Sequence, residues 1–145
     1  MTEPYLTQIW LDKVDARDLN CLQIAVDASI FGHKVEHILT SVQDFTSQLW
    51  RGGCGDKRFV MVTQVFAHPG GKELRIWSVG GEGYIEAIDA CYKTLIDYAK
   101  ENDCKWLTGI VLRKAFERVY AKFAFTDVYR NWVLELDHVS NQAEH

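Results

Sequence analysis

Residues 73–99 read ELRIWSVGGEGYIEAIDACYKTLIDYA, a strand-like pattern that passes through glycines into a helical pattern. The alternation of apolar and polar residues over 73–79 predicts a half-buried strand. Gly80-Gly81-Glu82-Gly83 breaks that alternation, and the residues that follow carry apolar side chains at helical spacing. The apolar face of this predicted helix consists of Ile85, Ile88, Tyr92, Leu95 and Ala99. The stretch therefore predicts a strand, a glycine turn and a long helix.

The residues before this stretch predict two further helices and three strands. Asp15 is positioned to cap the first helix, and Phe31-Gly32 is positioned to end it. The expected buried positions of the two helices are Leu19, Leu22 and Val26, then Val35, Ile38, Leu39 and Val42. The predicted strands cover residues 7–14, 46–51 and 58–67. The second of them is expected to end in a glycine-rich loop at 52–56, and the third forms a hairpin with 73–79 through a turn at 68–71.

The last third of the chain continues the alternation of strands and helices. Patterns at 105–112, 115–123 and 126–137 predict a strand, a short helix and a strand. The whole order is β-α-α-β-β-β-α-β-α-β, which is typical of a single α/β domain over residues 1–137, followed by a polar tail at 138–145.

Composition narrows the function classes. The 145 residues include 16 Lys and Arg against 20 Asp and Glu, a net charge of −4 that argues against nucleic-acid binding. The four cysteines form no C-x-x-C pair, no apolar run reaches the ~20 residues of a membrane span, and no secretory signal begins the chain. We therefore expect a cytoplasmic protein with no membrane or nucleic-acid partner.

The order of elements and the glycine motif resemble those of the GNAT N-acetyltransferase superfamily. In that superfamily a loop of the form R/Q-x-x-G-x-G/A binds the pyrophosphate of acetyl-CoA, and Ser78-Val79-Gly80-Gly81-Glu82-Gly83 occupies its place, with Ser78 at the basic or amide position. The family's F-Y-x-x-x-G-F segment corresponds to residues 119–125, where Tyr120 matches a tyrosine that often serves as general acid. The pattern is closest to short divergent GNAT-like proteins of bacteriophages.

This resemblance implies a fold, a cofactor and a set of site residues. The fold is a mixed, centrally splayed β-sheet flanked by helices, with the pantetheine of acetyl-CoA inserted between strands 73–79 and 105–112. Tyr120 would protonate the departing thiolate. The implied cofactor-binding residues are Val79, Gly80, Gly81, Glu82, Gly83 and Tyr84. The acceptor would be an unidentified amine, on a small molecule or a protein, and a homodimer or a protein partner remains open.

The same residues also permit a non-catalytic interpretation. The glycine loop can be a plain strand-to-helix turn, and Glu82, Glu86 and Asp89 bring negative charge to the place where a diphosphate would bind. A basic stripe could compensate for this charge; it consists of Lys114, Arg118 and Lys122. Tyr120 falls on the apolar side of its predicted helix, so it can equally be a core residue. The alternative is therefore an inactive GNAT-fold protein, of phage origin, that acts as a structural or protein-binding module.

Three further features of the sequence bear on its chemistry. His33-Lys34-Val35-Glu36-His37 has the H-x-x-E-H spacing of some zinc sites, but five-residue matches arise by chance, and a solvent-facing helix start is the simpler interpretation. Glu73 lies on a strand where the family often keeps its general base, although its place near a turn predicts exposure. The tryptophans are expected mainly in the core. We therefore predict no metal site and no evident general base.

Overall fold

A mixed sheet with helices on both faces forms the part of the chain that the computed structural model describes, residues 3–27 and 32–109. The helices are α1 (Ala16–Asp27), α2 (Val35–Gln43) and α3 (Ile88–Glu101), and a short 3-10 helix spans Leu11–Lys13. The strands are β1 (Tyr5–Ile9), β2 (Ser47–Cys54), β3 (Lys57–His68), β4 (Gly71–Gly81) and β5 (Cys104–Gly109). The predicted mixed α/β architecture is confirmed.

The strands lie in the order β1-β2-β3-β4-β5. The first four are antiparallel neighbours, whereas β5 is parallel to β4 because α3 carries the chain back across the sheet. The described pairing between β4 and β5 runs from Lys72 opposite Cys104 to Ile76 opposite Gly109. Beyond Ile76, β4 continues to Gly81 with no described partner on that side. The predicted elements at 115–123 and 126–137, and the tail, lie outside the described residues.

The core is divided between the two faces of the sheet. On one face α1 and α2 bury Leu22, Ile38 and Val42 against Leu49 and Val60 of the central strands. On the other face the Trp50 ring meets the Tyr98 ring of α3 edge to face at 5.1 Å. Because both faces are covered, β3 carries apolar residues at odd and even positions, as its sequence predicted.

The start of α1 is fixed by a pair of aspartates. The Asp18 N–H donates to Asp15 Oδ1 at 2.8 Å, and the Asp15 N–H donates back to Asp18 Oδ2 at 3.0 Å, which confirms Asp15 as the cap. The fully buried Asp18 carboxylate also accepts from Arg51 Nε of β2 at 2.9 Å and pairs with Arg58 of β3 at 3.3 Å. These contacts tie the N-terminus of α1 to the sheet.

Several predicted boundaries are wrong. The strand predicted at 7–14 ends at Ile9, because the chain turns into the 3-10 helix, where the Lys13 N–H donates to Trp10 O at 2.9 Å. Leu19 is 39% exposed rather than buried, and Cys21 and Ala25 take buried places on α1 instead. Of the tryptophans, Trp50 is buried, while Trp10 and Trp106 are exposed.

The glycines predicted as a loop at 52–56 divide between strand and turn. Gly52 and Gly53 lie inside β2. Position 52 requires glycine because a Cβ there would come within 2.2 Å of the Phe59 ring of β3. The turn itself uses Gly55, at φ +64°, and Asp56. The glycines of β2 thus make room for an aromatic side chain rather than for a bend.

Candidate functional site

The glycine segment Gly80–Gly83 lies at the end of β4, where the sequence predicted it. Gly81 and Gly83 adopt φ values of +119° and +92°, which side-chain-bearing residues rarely adopt. The long helix begins later than its pattern predicted, at Ile88, because residues 84–87 form a turn in which the Ala87 N–H donates to Gly83 O at 3.0 Å. Ile85, expected on the buried side of the helix, is 55% exposed as a result.

Two backbone N–H groups of β4 point away from β3 at this segment. The Glu82 N–H donates to Arg58 O at 2.9 Å, and the register pairs Gly81 with Phe59 and Gly80 with Val60. Because backbone groups of successive residues face opposite edges of a strand, the N–H groups of Val79 and Gly81 face the other edge. That edge lies beyond the last described pair with β5. Within residues 3–27 and 32–109, Val79 and Gly81 therefore present donors that have no strand partner on that edge.

Close packing accounts for three of the glycines without any ligand. A Cβ on Gly81 would lie 2.5 Å from Arg58 O. A Cβ on Gly80 would lie 2.3 Å from Cys21 O and 2.5 Å from Ala25 N of α1. A Cβ on Gly83 would lie 2.9 Å from the Lys57 Cβ. The backbone of the segment is thus pressed against α1 on one side and against the start of β3 on another.

Tyr84 turns its side chain into the core. It is 5% exposed, its hydroxyl lies 2.7 Å from that of Tyr92, and its ring meets Phe59 edge to face at 5.4 Å. Of the six residues predicted to bind the cofactor, Tyr84 can therefore contribute its backbone rather than its side chain. Glu82, by contrast, is exposed.

A lysine that sequence reasoning missed lies beside the acidic residues of the loop. Lys57 Nζ pairs with Glu86 Oε2 at 2.5 Å, and this hydrogen bond lowers the pKa of Glu86 and raises that of Lys57, with Glu82 and Asp56 adding to the latter effect. The hairpin register brings the first residue of β3 next to the end of β4, which is the signal that could have found it. The cations predicted for this role, Lys114, Arg118 and Lys122, lie outside the described residues, as does Tyr120.

A β-bulge interrupts β4 just before the glycines. Val62 pairs with Ser78 and Thr63 with Ile76, so that Trp77 has no opposite residue on β3. Bulges disrupt the ladder locally and are frequent next to active sites. The Trp77 ring packs against the core beneath α1 and α2, and the imidazole of His33 meets it edge to face at 4.8 Å and 85°. His33, which precedes α2, thus reaches the bulge.

Glu73 is buried, and its expected exposure is wrong. It is 3% exposed and accepts hydrogen bonds from Arg75 Nε at 2.8 Å and from the Thr108 hydroxyl of β5, and its Oε1 lies 2.7 Å from His68 Nε2. Burial alone would raise the pKa of this carboxyl, but the hydrogen bonds outweigh burial and hold it at about 2. Such a carboxylate is a weak base, so Glu73 is poorly suited to take a proton from an amine.

The two histidines of the H-x-x-E-H motif do not lie on one helix. Helix α2 begins at Val35, so His33 precedes the helix, and His37 Nδ1 accepts the Lys34 N–H at 3.0 Å. Within residues 3–27 and 32–109, no group of three or more His, Cys, Asp or Glu side chains is arranged to hold a metal ion. In those same ranges, no helix is both long and apolar enough to cross a membrane.

Comparison with solved structures gives the fold. Neither a protein-family model nor a curated protein matches the sequence. The chain is similar to a probable acetyltransferase, with 10% identity, a TM-score of 0.67 and coverage of 90% of this chain and 96% of the other. It is also similar to the ribosomal-protein-alanine N-acetyltransferase of Brucella melitensis, with 13% identity, a TM-score of 0.61 and coverage of 91% and 98%.

A third solved structure names the family in its description. It is a GNAT family acetyltransferase of Staphylococcus aureus, with 12% identity, a TM-score of 0.57 and coverage of 93% of this chain and 100% of the other. At these identities the likeness establishes architecture rather than activity. With its parallel β4–β5 pair, its glycine segment and its three helices, this chain has the fold of the GNAT acetyltransferases.

Proposed function

We propose that the protein transfers an acetyl group from acetyl-CoA to an amine. The observation that carries this proposal is the pair of backbone donors, the Val79 and Gly81 N–H groups, on an edge of β4 that has no partner among the described residues; they lead to the turn at 84–87 that precedes α3. Backbone N–H groups at a glycine turn, together with the positive end of a helix dipole, favour a phosphate anion. The acetyltransferase fold supports the same assignment.

The residues present fit the diphosphate of such a donor substrate. Gly81 and Gly83 leave out the Cβ atoms that would strain the backbone at this point. Ser78 provides no charge where the family pattern has a basic or amide residue, and Lys57 is the nearby cation that can take over this role. In our proposal Lys57 exchanges its contact with Glu86 for one with the diphosphate, which offsets the repulsion from the acidic residues.

The transfer chemistry needs a donor for the oxyanion, and the bulge offers one. Trp77 is skipped in the β3 ladder, so its N–H is a candidate to bind the thioester carbonyl oxygen. Following β4 upstream from Gly81 to Trp77 covers roughly 13 Å at the usual strand rise. The long pantetheine arm can span this distance along the edge of β4 that faces away from β3. Tyr120 is our proposed proton donor to the departing thiolate.

Calorimetric titration with acetyl-CoA tests the proposal. We expect binding at micromolar concentration, weakened by higher salt. Lys57→Gln should weaken it roughly two- to fivefold and Glu86→Gln should strengthen it by a similar factor, the range for exposed charge pairs. Lys93→Gln, exposed on α3, is the matched control and should leave affinity unchanged. Absence of binding at millimolar acetyl-CoA would rule the proposal out.

The non-catalytic alternative also has a specific observation in its favour. The exposed carboxylate of Glu82 lies within the loop itself. The backbone N–H of Glu82 already donates to Arg58 O. Both features reduce the capacity of the loop for an anion. If acetyl-CoA fails to bind, the protein-binding role becomes the better explanation of this fold, and partner capture rather than enzymology should follow.

A further inference from the structure

The imidazole of His33 lies at the only position in β4 where the described ladder with β3 skips a residue. Its ring meets that of Trp77 edge to face, with the centroids 4.8 Å apart, and Trp77 is the bulge residue. Such an edge-to-face contact restricts the orientation of both rings. His33 is half-buried, so it is held against the sheet but remains partly open to solvent.

We infer that His33 is the general base that takes the proton from the acceptor amine, an inference that rests on the function proposed above. If the thioester carbonyl binds at the bulge, an amine that attacks it from the side of α1 and α2 passes beside this ring. The amine nitrogen bonds to the carbonyl carbon, the carbon–sulfur bond breaks, and the amine proton passes to His33. The thiolate leaves with the electron pair and is protonated in turn.

The chemistry of the neighbouring groups favours His33 over Glu73, the carboxylate of β4. Histidine titrates between about pH 5 and 8, which suits proton transfer at neutral pH. Glu73 lies four residues upstream of the bulge, roughly 13 Å at the usual strand rise, and is engaged by Arg75 and Thr108. The carboxylate on β4 is therefore too distant and too weakly basic for this step.

Groups from the neighbouring elements set the surroundings of this imidazole. His37 of α2 faces it with the ring centroids 6.3 Å apart, while Lys34 and Glu36 are exposed positions next to it in the chain. His37 Nδ1 accepts the Lys34 N–H, which holds the His37 ring in one orientation at the start of α2. The paired histidines thus have distinct roles, since His37 caps a helix and His33 faces the bulge.

The test compares His33→Gln with His37→Gln in acetyl transfer to a panel of primary amines and peptides with free amino ends. His33→Gln should lower kcat by roughly 10²–10⁴-fold and remove the acid limb of the kcat/KM profile against pH. Its acetyl-CoA affinity by calorimetry should stay within twofold. His37→Gln should retain the limb and lose less than tenfold in kcat. Added imidazole should partly restore the rate of His33→Ala, which separates lost basicity from misfolding.

The outcomes distinguish this inference from the proposed function. Unchanged rate and pH profile in His33→Gln would overturn the base role while leaving acetyl transfer intact. Loss of the acid limb in His37→Gln, with the limb retained in His33→Gln, would also overturn it. If wild-type protein binds acetyl-CoA but acetylates no amine, the base role falls because there is no transfer for it to assist. If acetyl-CoA does not bind, the proposed function itself fails.

Discussion

Protonation of Glu73 should destabilise the fold, and the effect can be sized from its surroundings. The carboxylate is buried between three donors, and Arg75, one of them, also lies over the Phe66 ring at 4.1 Å. Its pKa is held at about 2, against an ordinary value of 4.5. Since one pKa unit corresponds to about 1.4 kcal/mol, the ionised form contributes about 3 kcal/mol to the free energy of unfolding.

The direction of the pH dependence follows from the lowered pKa. A carboxyl whose pKa is lower in the folded than in the unfolded protein stabilises the fold above its unfolded pKa. The contribution of Glu73 should therefore be complete above about pH 4.5 and be lost as the pH falls towards 2. Urea unfolding of wild-type protein and Glu73→Gln across this window measures it.

At neutral pH, Glu73→Gln should cost about 3 kcal/mol, and the difference between the two proteins should shrink steadily below pH 4.5. Taking the difference cancels the acid sensitivity of the other carboxyls, such as Asp15. Glu36→Gln on the exposed side of α2 is the matched control and should change stability by less than about 0.5 kcal/mol. A difference that stays constant from pH 6 to pH 2.5 would refute the reasoning.

Three other substitutions test contacts that shape the sheet and the loop, all by chemical denaturation. Gly80→Ala should cost about 2 kcal/mol, because its Cβ would overlap backbone atoms of α1, and an unchanged midpoint would contradict that packing. The Trp50 indole N–H donates to the Thr63 hydroxyl at 2.9 Å. Thr63→Val removes this acceptor and should cost about 1–3 kcal/mol. Thr63→Ser keeps the hydroxyl and should lose much less stability. Asp18→Asn should cost about 2 kcal/mol, because it leaves Arg51 without its carboxylate. This cost is smaller than that of breaking a fully buried ion pair, because Arg51 is partly exposed.

Local patterns sufficed for the elements whose sequence and environment agree. The Asp15 cap, the two-sided burial of β3 and the turn into β4 follow from nearest-neighbour chemistry, and each is observed. The pattern failed where a distant side chain decides the conformation. Gly52 reads as a turn residue, yet the Phe59 ring from the next strand occupies the space of its missing side chain. Strand glycines of this kind are indistinguishable from loop glycines without the register.

The site was predicted in part for the same reason. The glycine segment was found because its residues are contiguous, whereas Lys57 and the Trp77 bulge depend on how β3 pairs with β4. The sequence presents His33 as half of a zinc motif, and its contact with Trp77 is formed only in the folded chain. Glu73 was expected to be exposed because its donors come from three strands, one of them β5, far along the chain.

The choice of variants determines whether the enzyme and the non-catalytic module can be told apart. Gly80 is required by the packing of α1, and Gly81 by a backbone angle, whether or not a ligand binds. Substituting either residue perturbs the fold and the loop together, so a loss of acetyl-CoA binding in such a variant would not identify its cause. Lys57 is exposed and His33 lies in a connecting segment, so neither is part of the buried core. Weaker acetyl-CoA binding in Lys57→Gln, or loss of the acid limb in His33→Gln, with unchanged stability therefore assigns a chemical role to that residue. Substitution of the glycines cannot do so.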